Sequence, residues 1–273
     1  MRESLFLSSL LLNSEAWVNL KEQDIRKLEQ VDEILLSKIL QSEANTNNIF
    51  KYLELGVIPI RFVIMKRKIL FLQYILQQEK SSLIYKVLEA TMKNPLKNDF
   101  VDTCKKYLQI LKIDLSFSEI ENLSKWSLKK IVKVKTEIAA FRYLLEQQKK
   151  PRKNGKLSKI ANIKYDRLEL QPYLVEGNHG TKISQFIFKA RSQTLDIKTQ
   201  KKWKYEDARC TGCESREETG DEILACEKFG KYEENITKPK YSWFFSDCFG
   251  DMVYCAEVMT KRLKARTEIL ENG

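Results

Sequence analysis

Two hundred and seventy-three residues, 43% hydrophobic and 31% charged, with nine glycines and five prolines, exclude collagen-like, low-complexity and wholly disordered chains and predict a helix-rich globular protein with a substantial core. No apolar run reaches the roughly 18 residues of a membrane span, and the single histidine, His179, excludes a histidine-cluster metal site. The net charge is +11, and between Lys125 and Lys164 thirteen basic residues face only Glu137 and Glu146, so this stretch carries the whole excess and suits a polyanionic partner.

The first residues, from Met1 to Leu12, pair a charged start with a short apolar run, but Glu3 and the lack of an Ala-x-Ala-like cleavage site argue against a signal peptide. They predict a buried first helix and an intracellular protein, nuclear or cytoplasmic. Leu28, Val31, Leu35 and Ile39 recur at helical spacing and mark a second helix to about Leu40, broken by Asn45-Thr46-Asn47-Asn48. Leu55-Gly56 followed by Pro59 reads as one helix end and one helix start. The next helix, Ile58 to about Gln78, is apolar nearly all round, with Arg61, Lys66, Arg67 and Lys68 expected along an exposed, solvated edge. A helix over Leu83–Lys93 stops before Asn94-Pro95, and the capping-box pattern Ser116-Phe117-Ser118-Glu119 starts a short one, Phe117 to Leu123.

Leu128, Ile131, Val134, Ile138, Phe141 and Leu145 then define the core face of a long helix, with Lys129, Lys130, Lys133 and Glu137 mostly opposite. The segment from Lys149 to Lys159 has Pro, Gly and no apolar period, and reads as a flexible basic linker. Lys129, Lys130, Lys133, Lys149, Lys150, Arg152, Lys153, Lys156 and Lys159 are therefore candidates for non-specific phosphate-backbone contact with RNA or DNA; the alternative is a solvated interdomain linker. Tyr165–Leu174 and Ile183–Arg191 are predicted as shorter helices, separated by the turn Gly177-Asn178-His179-Gly180, where His179 reads as an exposed polar residue. The last helix runs from about Met252 to Leu270. The expected architecture is thus mainly α, in two helical lobes. Residues 1–149 form one, 150–164 the linker, 165–205 a short helical segment, and 206–273 a Cys-rich segment with the C-terminal helix.

Five of the six cysteines lie in the last quarter of the chain. Cys104 reads as an inert buried thiol. Cys210-Thr211-Gly212-Cys213 has the two-residue spacing that lets two thiolates chelate one zinc ion, and Cys226 follows as a third candidate ligand. Cys248 is the candidate fourth, with Cys255 or a carboxylate, Asp221 or Glu222, as alternatives. Buried or free thiols are the competing reading. A redox pair needs a strand-to-helix context, and a disulfide framework an oxidising compartment, neither of which the pattern supplies.

Several segments together resemble the C-terminal, post-palm region of reverse transcriptases from invertebrate LINE-type (non-LTR) retrotransposons. These are Ser8-Ser9-Leu10-Leu11-Leu12-Asn13-Ser14-Glu15-Ala16-Trp17, then Tyr52-Leu53-Glu54-Leu55-Gly56-Val57-Ile58-Pro59-Ile60-Arg61-Phe62 with its continuation Ile69–Leu76, and Lys201-Lys202-Trp203-Lys204-Tyr205 ahead of Cys210 and Cys213. Family members often place a histidine before the third cysteine, where this chain has Asp221 and Glu222. The family is an RNA-directed DNA polymerase, but two-metal nucleotidyl transfer needs carboxylates in close register, and neither an Asp-Asp pair nor Tyr-x-Asp-Asp is present. The resemblance therefore implies a non-catalytic, nucleic-acid-binding, zinc-binding fragment of a transposable element. The alternative is a host-adopted or degenerate helical module that binds protein and not nucleic acid.

Overall fold

The computed structural model describes residues 2–18, 20–43, 46–150, 163–175, 180–231, 237–246 and 248–272. Most of the expected basic linker, with Arg152, Lys153, Lys156 and Lys159, and the turn holding His179 lie outside the described residues. Within them there are eleven α-helices and no strand, only an isolated antiparallel bridge between Arg209 and Glu217. None of these helices is long and apolar enough to cross a membrane. The chain divides into two compact units, one of Met1–Leu35 with Gly56–Gln147, the other of Leu36–Leu55 with Gln148–Gly273.

The first unit is built on α4, Ile60–Leu76, into which the chain turns through Gly56 at φ 62° and Pro59 at the N-cap. Its predicted all-round apolarity is real: Ile60, Ile64, Ile69 and Leu72 are fully buried. Leu7 and Leu11, on and after the short α1 (Leu7–Leu10), pack against Ile60 and Ile64 with Trp17 at the margin. The expected exposed basic edge of α4 is not there. Lys68 is buried and donates to the Trp17 carbonyl, Arg67 donates to the Leu11 carbonyl at 2.5 Å, and Arg61 forks onto Glu29 at 2.7 and 2.8 Å and reaches Glu22 at 2.9 Å. Cations on a helix buried along most of its length must find partners, and here carbonyls and the carboxylates of α2 (Glu22–Leu40) provide them.

Around α4 stand α5 (Leu83–Lys93), α6 (Phe100–Ile110) and α7 (Phe117–Asn122). Ser82 and Asp99 cap α5 and α6, accepting from Tyr85 N and Asp102 N, and the Ser116–Glu119 capping box forms as its spacing predicts. Gln73 of α4 donates to the carbonyls of Ile120 and Leu123 at 3.1 and 2.9 Å and so binds the end of α7. Cys104 is fully buried on α6, and burial pushes its thiol up to about 12, in keeping with an inert role.

The helix α8, Lys125–Lys149, exists where its periodicity places it, but it is turned differently. Its buried row is Leu128, Val132, Thr136, Ala140, Leu144 and Gln148, a strict four-residue ridge, whereas Val134 and Ile138 of the expected core face are 46% and 49% exposed. Apolar residues lie on more than one side of this helix, and the row that is buried includes the small Thr136 and Ala140, which a pattern of large apolar residues passes over.

In the second unit, α3 (Asn48–Leu55) meets α9 (Thr181–Arg191), with the Phe50 and Phe188 rings 5.4 Å apart. The expected helix at Tyr165–Leu174 is corrected: the only helical turn there is a 3-10 turn, Pro172–Leu174. Proline forces Gln171 into extended geometry, and the aromatic residues serve as anchors instead of a helical face. Tyr165 and Tyr173 both donate their hydroxyls to the buried Glu54 carboxylate, which Arg191 also grips at 2.9 Å. Arg191 in turn donates to the Phe244 carbonyl at 2.7 Å. The short α10 (Gly220–Ala225) and the long α11 (Phe249–Asn272) complete the unit.

Candidate metal centre and basic surface

Cys210 and Cys213 sit in a tight loop closed at its base, where Cys210 N donates to the Arg216 carbonyl and Glu218 N to the Ala208 carbonyl, both at 2.7 Å. Gly212 is required between them. A Cβ there would stand 2.8 Å from Lys228 Cβ and 3.1 Å from Cys226 Sγ, so the loop lies directly against the segment that brings in the third cysteine. After the loop, Thr219 caps α10 by accepting from Glu222 N at 3.1 Å, which directs the Glu222 side chain back towards the thiols. A second fixture is Glu218: it accepts from Thr211 N and Thr211 Oγ1 at 3.1 and 2.7 Å and pairs with the buried Arg266 of α11 at 2.7 Å. Arg262 of α11 donates to the carbonyls of Cys226 and Gly230 at 2.8 and 2.7 Å, fixing the other side of the loop.

These devices bring together Cys210, Cys213, Cys226 and Glu222, whose ligand atoms all lie within 4.8 Å of one another, a group that could hold a metal ion. A tetrahedron with metal–sulfur bonds near 2.3 Å needs sulfurs about 3.8 Å apart, so the donor set fits with small adjustments. The Cys213 thiol donates to Glu222 Oε1 at 3.3 Å, and Arg216 stands 3.7 Å from Glu222 Oε2. Burial pushes the Cys210 thiol up to about 12, whereas hydrogen bonds from Ser215 hold that of Cys213 below its ordinary value.

The expected fourth cysteine does not join. Cys248 is exposed and outside the group, and Cys255 is buried on α11 with its thiol towards the Lys240 carbonyl at 3.6 Å. Of the two carboxylates, Asp221 instead accepts from Tyr241 N at 3.1 Å. The signal that singles out Glu222 is the Thr219-x-x-Glu222 spacing, which starts a helix just before the third cysteine. Gly212→Ala is expected to weaken metal binding by about 1–3 kcal/mol through overpacking against Cys226; cobalt titration, followed by its thiolate absorption, checks this.

On α8, Lys129, Lys130 and Lys133 all face solvent, as do Lys149 and Lys150 at its end. Lys133 lies 4.0 Å from Glu137, a loose surface pair of little energetic weight. Lys130 Nζ stands over the Trp126 ring, 5.2 Å from its centroid. No protein-family model, no curated protein and no solved structure matches the chain.

Proposed function

We propose that the chain is a non-catalytic nucleic-acid-binding module, of the post-palm type that its resemblance to non-LTR retrotransposon reverse transcriptases implies, and that it holds RNA or DNA by the phosphate backbone without reading bases. The observation that carries this reading is the outward face of α8. Lys129, Lys130 and Lys133 project there from the one stretch that holds the chain's entire excess charge, and a one-signed row of ammonium groups attracts phosphates and releases their counterions. In the second unit the ion is zinc: three thiolates with one carboxylate suit a borderline-soft, tetrahedral cation. It organises the segment that follows the basic Lys201–Lys204 run. Exposed Val134 and Ile138 on the same helix favour a second reading, docking of a protein through an apolar surface.

Salt separates the two. Backbone binding weakens linearly in log affinity against log salt, with a slope of about 0.7–0.9 per phosphate neutralised, whereas an apolar protein contact is nearly indifferent. Replacing Lys149, Lys150, Arg152 and Lys153 together by alanine is expected to flatten that slope by the contacts removed. An unchanged slope in a filter-binding titration argues against the assignment of these residues.

A further inference from the structure

Of the four tryptophans, two have structural work. Trp17 packs at the margin of the Leu7–Ile64 cluster, and Trp243 lies 6.4 Å from Tyr254. The other two do not: Trp126 is 70% exposed and Trp203 is 73% exposed. Single exposed apolar side chains need no explanation by themselves, but these two share a setting. Trp126 opens α8 among Lys125, Lys129, Lys130 and Lys133 with no acid before Glu137, and Lys130 Nζ stands over its ring. Trp203 occupies a turn among Lys198, Lys201, Lys202 and Lys204 with no acid between them, and Lys201 Nζ lies 5.7 Å from its centroid. Lys201 is itself buried and held by Glu43, so the ammonium beside the Trp203 ring is fixed in place.

We propose that Trp126 and Trp203, each in its own unit, are stacking platforms for unpaired bases, which makes single-stranded RNA or DNA the preferred ligand. This rests on the nucleic-acid reading above and narrows its substrate class. A ring so exposed keeps a π face open to water. A base can cover that face while the exposed neighbouring lysines, Lys125 and Lys129 at Trp126 and Lys202 at Trp203, meet phosphates, the combination by which single strands are held without sequence preference. Duplex bases are already stacked on one another and offer no such face. The lysine beside each ring adds a cation–π contact and orients it before the strand arrives. Lys133 and Lys204 already meet Glu137 and Asp196, at 4.0 and 2.7 Å, and Lys201 meets Glu43, but a purely apolar protein partner would offer no counter-charge to the exposed Lys125 and Lys129 near the first ring or Lys202 beside the second.

The test uses the full chain, a fluorescein-labelled oligo(dT) of about twenty nucleotides, longer than one such footprint, and a duplex of equal length. Binding is read by anisotropy and by quenching of tryptophan emission. Trp126→Ala and Trp203→Ala are each expected to weaken oligo(dT) binding roughly tenfold and leave duplex binding unchanged. Both positions are exposed, and matching circular dichroism spectra show that the variants fold. Salt-sensitive binding that neither substitution alters, without quenching, overturns the platforms and leaves backbone binding intact. Equal losses on duplex and single strand overturn the single-strand preference. No binding of either nucleic acid by the wild-type chain overturns the broader reading as well.

Discussion

Protein purified without chelator is expected to carry one equivalent of zinc, and stripping that ion is expected to unfold the loop between Ala208 and Glu222. From Ala208 to Glu222 there is no large aliphatic or aromatic side chain, so apolar burial cannot offset the entropy of ordering these residues. The cross-link must do it, and structural zinc sites of this size contribute on the order of 10–16 kcal/mol of binding free energy near neutral pH. Elemental analysis of variants assigns the ligands. Cys213→Ala loses the metal, Cys248→Ala keeps it, and Glu222→Ala weakens the site without emptying it because three thiolates remain. Glu222→His keeps a full set of four donors and is expected to retain zinc. Retention of zinc by Cys213→Ala, or a metal-free protein indifferent to chelator, ends the assignment.

The second large effect is expected at Glu54. Its carboxylate is fully buried and meets two tyrosine hydroxyls and the Arg191 guanidinium. Burial, reinforced by Glu54, raises Tyr165 and Tyr173 well above the ordinary phenol range, so both stay protonated donors. Burial works against the charge on Arg191, but Glu54 beside it more than compensates and keeps the guanidinium charged. Glu54→Gln leaves that cation buried without its counter-charge, a change that costs about 3–5 kcal/mol. Urea unfolding followed by circular dichroism measures it. Only a variant that replaces the whole network, Glu54→Met and Arg191→Met together with Tyr165→Phe and Tyr173→Phe, should regain much of the loss, since a buried pair is often replaceable by apolar residues of similar volume but the two hydroxyls would otherwise be left without an acceptor. A Glu54→Gln protein within about 0.5 kcal/mol of wild type, the range of ordinary surface substitutions, would show that the network holds nothing.

Local chemistry was legible and tertiary choice was not. Gly56 with Pro59, and Ser116 with Glu119, mark their helix boundaries because a left-handed cap, a fixed φ and a reciprocal cap are properties of the few residues involved. The long helix at 125–149 was visible in its period, but its buried row depends on which ridge a neighbour accepts, and Thr136 and Ala140 fall outside any count of large apolar residues. Tyr165 and Tyr173 mimic helical spacing while acting as tethers to a carboxylate more than a hundred positions earlier. At the metal group the three cysteines follow from spacing. Glu222 in place of Cys248 follows from the Thr219 cap, whose spacing is visible in the chain, and from the loop closure that carries the helix start to the thiols, which only the folded chain displays.

The second unit's discontinuity in the chain, with Leu36–Leu55 on one side and Gln148 onward on the other, separates the synthesis of its two parts in time. Glu54 leaves the ribosome long before its partners, which follow 111, 119 and 137 residues later. At about 5–20 residues per second, the last of them emerges roughly 7–27 seconds after it. Throughout most of that interval the Phe50 ring also lacks its neighbour Phe188. Vectorial synthesis thus gives this protein a waiting period in which the eight-residue segment Asn48–Leu55 is made but its buried partners are not.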